Sequence, residues 1–290
     1  QVVKEIGTGA NLFDNGDLDY TVLADTYALQ YKESKQAHFV PKAMVGYLSP
    51  NHRREITGNE HVRKAFLQAI DKETFAKEIL GDGSTALNGF VPANFAKNPD
   101  TGEDFRKENG DLLPYNIKEA QANWTKAKEE LGKDKIELEL ISADSAIAKK
   151  TIEFVQGQLQ QNLPGLTIKL KSLPLQNRLD LQTAGNYDLA FGTWTPDYAD
   201  PINFLEFYDS KSGLNTSGYN DSAYDAGLQK VRKDYANEPE KRWNELLSLE
   251  KTLIEKDAGV LPLFQGAIGY LKSDRLQGLQ VFSFGRTVSY

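Results

Sequence analysis

The sequence contains no cysteine, a single methionine and only three histidines in 290 residues. The first absence removes disulfides, thiolate nucleophiles and cysteine-bearing metal sites together. The histidines, His38, His52 and His61, share no spacing that would bring two of them to one metal ion, so they read as solvated surface groups and no metal or other cofactor is expected. No apolar run approaches the roughly 18 to 20 residues that cross a bilayer, and the mean hydropathy of −0.52 agrees. Blocks of one charge sign are missing as well. The 34 basic and 41 acidic residues are interspersed, for a formal net charge of −7, and nucleic acid is not an expected partner. The chain opens Gln1-Val2-Val3-Lys4, with no initiator Met, no basic and then apolar leader and no lipidation cysteine. The expectation is an excised piece whose leader or anchor lies upstream, with membrane association only through that anchor.

What is present is clearest between Lys135 and Thr193. Residues 136–142 alternate apolar and polar (Ile136, Leu138, Leu140), the period of a strand. Over 145–163 the period lengthens, placing Ala148, Ile152, Val155 and Leu159 on one helical face, and Pro164-Gly165 ends the helix. A second alternating stretch at 166–173, a helical stretch at 175–183 and a third strand at 187–193 complete the order β-α-β-α-β, which predicts a parallel sheet. Helices are expected at 59–80, 119–131, 222–235 and 238–256, and a strand at 260–264. The first 45 or so residues and the last 25 carry short patterns that do not close into a domain of their own.

Catalytic signatures are missing too. There is no Gly-x-Ser-x-Gly elbow and no phosphate-binding glycine loop ending in Gly-Lys-Ser/Thr, so the chain is not expected to be an enzyme. The informative segment is Trp194-Thr195-Pro196-Asp197-Tyr198-Ala199-Asp200-Pro201, which leaves the carboxyl end of the third predicted strand, where open α/β sheets bind ligands. Two prolines stiffen it. Asp200, followed by Pro201 and Ile202-Asn203-Phe204-Leu205, fits a helix N-cap with proline at the first helical position. Asp197 has no such local employment and stands between two aromatic rings that would shield a salt bridge. Spacing alone serves equally a carboxylate that meets a ligand ammonium group and one that caps a turn beside packed rings.

Around this segment the sequence resembles the peptide-binding branch of the family 5 bacterial extracellular solute-binding proteins. The resemblance rests on collinear motifs: Asn15-Gly16-Asp17-Leu18-Asp19, Tyr47-Leu48-Ser49-Pro50-Asn51, Val62-Arg63-Lys64-Ala65-Phe66 with Ala69-Ile70-Asp71-Lys72, Tyr115-Asn116, the segment Trp194 to Pro201, and Tyr219-Asn220 with Tyr224-Asp225. It covers essentially the whole chain. It implies a periplasmic-binding-protein-like α/β lobe (type II, cluster C) with a mixed, largely parallel sheet flanked by helices, plus segments of a second lobe. Residues 49–264 would form the C-terminal lobe, with 1–48 and 265–290 belonging to the other. It also implies an oligopeptide ligand held like an added strand, the permease subunits of an ABC importer as partners, a monomeric receptor, and a location on the cell surface as a lipoprotein of a Gram-positive bacterium or in the periplasm. In that family the aspartate matching Asp197 pairs with the peptide's α-ammonium. Trp194 and Tyr198 become wall residues, and Asn215 and Tyr219 follow as weaker ligand contacts. Two other readings compete: a carboxylate-pair hydrolase such as a glycosidase, using Asp197 and Asp200, and an adhesion module.

Overall fold

The computed structural model describes residues 6–284 and 288–289. The chain begins with α1 (Ile6–Asp14), β1 (Tyr20–Leu23), α2 (Asp25–Gln30) and the 14-residue β2 (Ala37–Pro50). Next come α3 (Glu60–Ala69), α4 (Lys72–Thr74), β3 (Thr85–Ala86), α5 (Phe105–Asn109) and α6 (Ile117–Leu131). The expected β-α-β-α-β unit follows as β4 (Ile136–Ala143), α7 (Ala146–Asn162), β5 (Leu166–Leu173), α8 (Leu175–Thr183) and β6 (Leu189–Trp194). Then come α9 (Ile202–Leu205), α10 (Ser222–Gln229), α11 (Pro239–Lys251), β7 (Leu261–Lys272) and a small ribbon of β8 (Gln280–Val281) with β9 (Val288–Ser289).

Local chemistry explains most boundaries. Asn59 caps α3 by accepting from the Val62 amide at 3.0 Å. The single helix expected over 59–80 is broken, because the Asp71 carboxylate accepts from the Thr74 amide at 3.0 Å and starts a new helix. That helix runs on from α4 as a wider π-wound turn, Phe75–Leu80. The helices expected at 222–235 and 238–256 likewise end in π-wound turns, Lys230–Asp234 and Thr252–Lys256. Between α7 and β5, Gly165 (φ +88°) lets the chain pass the Asp134 carbonyl, which would lie 2.3 Å from a Cβ at this position.

One seven-stranded sheet runs in the order β1-β7-β2-β6-β4-β5, with β3 paired to β7. β4 pairs in parallel with both β5 and β6, as the sequence predicts. The other four pairings are antiparallel, so the sheet is mixed but not largely parallel. The reason is β2 and β7, whose antiparallel ladder runs Ala37↔Leu271 to Leu48↔Leu261 with a register slip between Pro41 and Val45. The boundaries expected after residues 48 and 264 fall inside these two strands. At one end the ribbon packs into a small cluster of Phe13, Leu23, Ala28 and Leu271, and at the other it enters the main core. β5 is the outer strand on the far side, where Lys169 and Lys171 pair with Glu137 and Glu139 of β4 at 2.6 and 3.4 Å.

Successive strand residues face opposite sides, and this separates the two crossover helices. Leu140, Leu189 and Phe191 join the main core with Ile152, Val155 and Leu159 of α7. Their neighbours Ile141 and Ala190 pack with Tyr187 against Leu181 of α8 on the other face. The crossovers leaving β4 and β5 thus lie on opposite sides of the sheet, and in open α/β sheets such a divergence marks the carboxyl strand ends as the place where ligands bind.

Two titratable groups are sealed into the fold. His52, expected at the surface, is half-buried with Nε2 2.9 Å from the Gly259 carbonyl oxygen, and burial lowers its pKa to about 4. Lys72 is 2 % exposed, donates to Asn88 Oδ1 at 2.8 Å and to the Leu87 carbonyl at 3.3 Å, and has its pKa pulled down to about 7 by burial, against the opposing pull of Asp111. An unfolded lysine holds its proton to about 10.4. Between about pH 7 and 10.4 the unfolded chain therefore binds more protons at this site, and stability rises with pH across that window by at most about 1.4 kcal/mol per unit. Lys72→Met is expected to remove this slope. Urea midpoints between pH 7 and 10 check it, and a wild-type dependence no steeper than the variant's would refute it.

Candidate functional site

β6 delivers Trp194 to the carboxyl end of the sheet, opposite Val45 of β2. The loop that follows is organised by Asn203, a buried residue of α9 that the sequence reading passed over. Its Oδ1 accepts from the Trp194 indole at 3.3 Å and from the Asp197 amide at 3.2 Å, so one side chain ties both ends of the turn. The Trp194 ring meets Phe207 edge to face, with centroids 5.0 Å apart. Tyr198 is 43 % exposed and its hydroxyl donates to Glu206; burial and that carboxylate raise its pKa to about 12.

The acids of this region divide sharply. Asp200 accepts from the Ile202 amide at 3.0 Å, with Pro201 already in helical conformation (φ −53°, ψ −29°), and its other oxygen receives Arg242 at 2.8 Å. It is the helix cap the sequence predicts, reinforced by an ion pair that it did not. Glu206 and Asp209 share Arg232, at 3.0 and 2.6 Å. Asp197 is exposed, and among the described residues its carboxylate accepts no hydrogen bond and joins no ion pair. A catalytic pair of Asp197 and Asp200 is disfavoured, because the second is already held by a helix and a guanidinium.

Asn215 and Tyr219 are employed inside the protein. The Asn215 amide donates to the Asp209 and Tyr219 carbonyls at 3.2 and 2.8 Å, and its oxygen accepts from the Ser217 hydroxyl at 2.8 Å. Tyr219 is 4 % exposed, donates to Asp257 at 2.7 Å and packs edge-on against Tyr224. Both shape the loop behind the site. A cleft of about 380 Å³ lies on the Asp200 side of the loop, lined by Phe95, Lys97, Asp200, Arg242 and Trp243; Asp197 is not among its walls.

Beneath the same strand end lies Arg178, in the first turn of α8. Its Nη1 donates to the Phe191 carbonyl at 2.9 Å, passing beside Gly192, where a Cβ would sit 3.1 Å from Nη1 and 3.4 Å from the Tyr47 hydroxyl. Tyr47 is paired with Gly192 across the sheet, so both share a face with Trp194, two residues on. Among the described residues no three His, Asp or Glu side chains gather as metal ligands, and no helix is long and apolar enough to cross a membrane.

The sequence model for bacterial extracellular solute-binding proteins, family 5 Middle, matches residues 1–216. A dipeptide-binding protein of Lactococcus lactis subsp. cremoris is 33% identical over 236 residues, 78% of this chain and 42% of its own length. The dipeptide-binding protein DppE of Bacillus subtilis is 28% identical over 279 residues, 96% of this chain and 50% of its own. The chain spans about half the length of the curated relatives it matches. Among solved structures, Listeria monocytogenes OppA bound to peptide is 37% identical with a TM-score of 0.85, covering all of this chain and 56% of that one. The substrate-binding domain of an oligopeptide ABC transporter from Bacillus anthracis is 32% identical with a TM-score of 0.88, covering all of this chain and 57% of that one.

Proposed function

Because this chain belongs to the bacterial extracellular solute-binding proteins of family 5, we propose that it supplies one jaw of a receptor that captures oligopeptides for uptake by an ABC importer. The carrying observation is the unpaired Asp197 carboxylate, exposed at a strand end, while Asp200 beside it pairs with Arg242 and Glu206 and Asp209 share Arg232. An α-ammonium group closing on Asp197 would find a formal charge to meet, Trp194 and Tyr198 beside it, and a loop already fixed by Asn203. A pre-fixed loop loses little entropy when the ligand arrives. The relatives, two dipeptide-binding proteins, an OppA bound to peptide and the substrate-binding domain of an oligopeptide transporter, favour the same ligand class.

Residues 1–48 and 265–290 are proposed to belong to the opposing jaw, with the β2/β7 ribbon as the crossing between the two. The receptor works as a monomer outside the cytoplasmic membrane, as an anchored surface protein of a Gram-positive bacterium, and performs no chemistry on its ligand. Mass spectrometry of the ligand that copurifies with the complete receptor tests the reading, and a sugar or metal complex in place of peptides would overturn it. One jaw leaves much of a peptide hydrated, so calorimetry is expected to find peptides bound far more weakly by this chain alone than by the complete receptor. Equal affinities would refute the two-jaw arrangement.

A further inference from the structure

Arg178 is 9 % exposed yet has no carboxylate partner among the described residues. Of its three guanidinium nitrogens, Nη1 donates to Phe191, Nε is buried with no partner, and Nη2 donates to nothing. Its two buried counterparts are compensated differently, one by a full set of carbonyls and one by a carboxylate. Arg63 spends its guanidinium on the carbonyls of Thr57, Gly58, Asp257 and Ala258, and Arg106 meets Glu250 at 2.7 Å. Burial disfavours the charged form of Arg178, and only the Tyr47 and Tyr187 hydroxyls counter it. A desolvated, unpaired cation is unfavourable by several kcal/mol in general, so its retention calls for a compensating anion. The position is informative too. Arg178 lies in the first turn of α8, the crossover that leads into β6, on the face of β6 that also carries Gly192 and Trp194 at the carboxyl strand end.

We infer that Arg178 is a specificity residue that receives a carboxylate of the bound ligand, so that a ligand held by Asp197 at its ammonium group is read for negative charge on the sheet side of Trp194. A guanidinium whose remaining N–H groups are unspent suits a carboxylate, which it can meet with two parallel hydrogen bonds. The carboxylate is either the peptide's C-terminus or an acidic side chain, and both present the same chemistry to the fork. The inference rests on the peptide reading.

The test uses the complete receptor and a matched series of short peptides with free amino termini: C-terminal acid against amide, and Glu against Gln at each position. Wild type is expected to prefer one acidic member over its neutral twin by about 30-fold or more, the usual scale for a desolvated charge pair. Arg178→Met is expected to bind both twins alike, with a melting temperature no lower than wild type, since a buried unpaired charge has gone. Arg178→Lys, which keeps the charge but not the fork, is expected to recover part of the preference. Which pair responds identifies the carboxylate. If wild type binds no peptide in the series, the peptide reading falls and this inference with it. If wild type binds peptides but Arg178→Met weakens acidic and neutral twins equally, or keeps the wild-type ratio, Arg178 is a packing residue and only this inference is overturned.

Discussion

Asp197→Asn in the complete receptor is expected to weaken peptide binding by about 30-fold to several thousand-fold. Truncating one partner of a desolvated charge pair costs about 2 to 5 kcal/mol, mostly because the other charge stays buried and unpaired, and each decade of affinity is about 1.4 kcal/mol. The substitution is nearly isosteric, and the loop geometry should survive, because Asn203 holds the Asp197 backbone amide and not its side chain. Asp200→Asn is the control. Asparagine caps a helix about as well as aspartate, and the lost pair with Arg242 is partly exposed, worth at most about 1 kcal/mol. N-acetylated peptide completes the cycle. Acetylation should cost wild type heavily and the Asp197→Asn variant little, as calorimetry would read directly. Wild type binding free and acetylated peptides alike would leave Asp197 a structural role only.

Glu250→Ala is expected to destabilise the chain by about 3 to 5 kcal/mol, the range seen when one member of a buried ion pair is removed. Glu250 is fully buried. One oxygen accepts from the Phe90 and Val91 amides at 2.7 and 2.8 Å and from Arg106 at 2.7 Å; the other accepts from Asn109 at 2.6 Å. Alanine would strand four donors at once. Arg106 has no slack to absorb the loss, since its Nε and Nη2 are already buried without partners. A fall of the urea midpoint at unchanged slope would carry the measurement, and a loss below about 1 kcal/mol would mean that water replaces the carboxylate. Glu250 ties α11 to the 90–91 loop and to α5, and Trp243 of α11, packed edge-on against Phe105 and donating to Glu108 at 2.9 Å, would keep the two helices in contact in the variant.

The parallel half of the sheet was legible because its two periods are clean: Ile136, Leu138 and Leu140 alternate, while Ile152, Val155 and Leu159 do not. β2 was not legible. Pro41, Lys42 and Gly46 interrupt its alternation, and its pairing slips where they fall. β7 was read as 260–264 but runs as Leu261–Lys272, since Gln265, Gly266 and Gly269 look like a strand's end. Gln265 is instead buried, donating to the Lys42 and Ala93 carbonyls at 3.2 and 3.0 Å and accepting from the Ala93 amide at 2.9 Å, a long-range arrangement that local pattern cannot anticipate. At the site, the capping role of Asp200 followed from spacing, whereas spacing left Asp197 open between a ligand contact and a turn cap. Arg242 and Arg178 were not legible, because each acts on the loop or strand from a distant point in the chain. Asn203 lay within reach of local reasoning as a polar residue among apolar neighbours in Ile202-Asn203-Phe204-Leu205.

A sheet that simply stops leaves a row of unspent amide and carbonyl groups, and such a row invites another strand to dock, in a newly made chain as much as in a concentrated stock. β5 ends this sheet with ammonium groups projecting at every second residue, Lys169 and Lys171, each leaning inward to a glutamate on β4. A second copy approaching edge to edge would bring like charges together and would have to strip water from four ionised groups. The ladder that gives little to folding stability thus guards against self-association, on the side of the sheet away from the long ribbon, and it works beside α7, whose Gln156 and Gln160 already hold the Ile168 carbonyl and amide at 2.7 Å each.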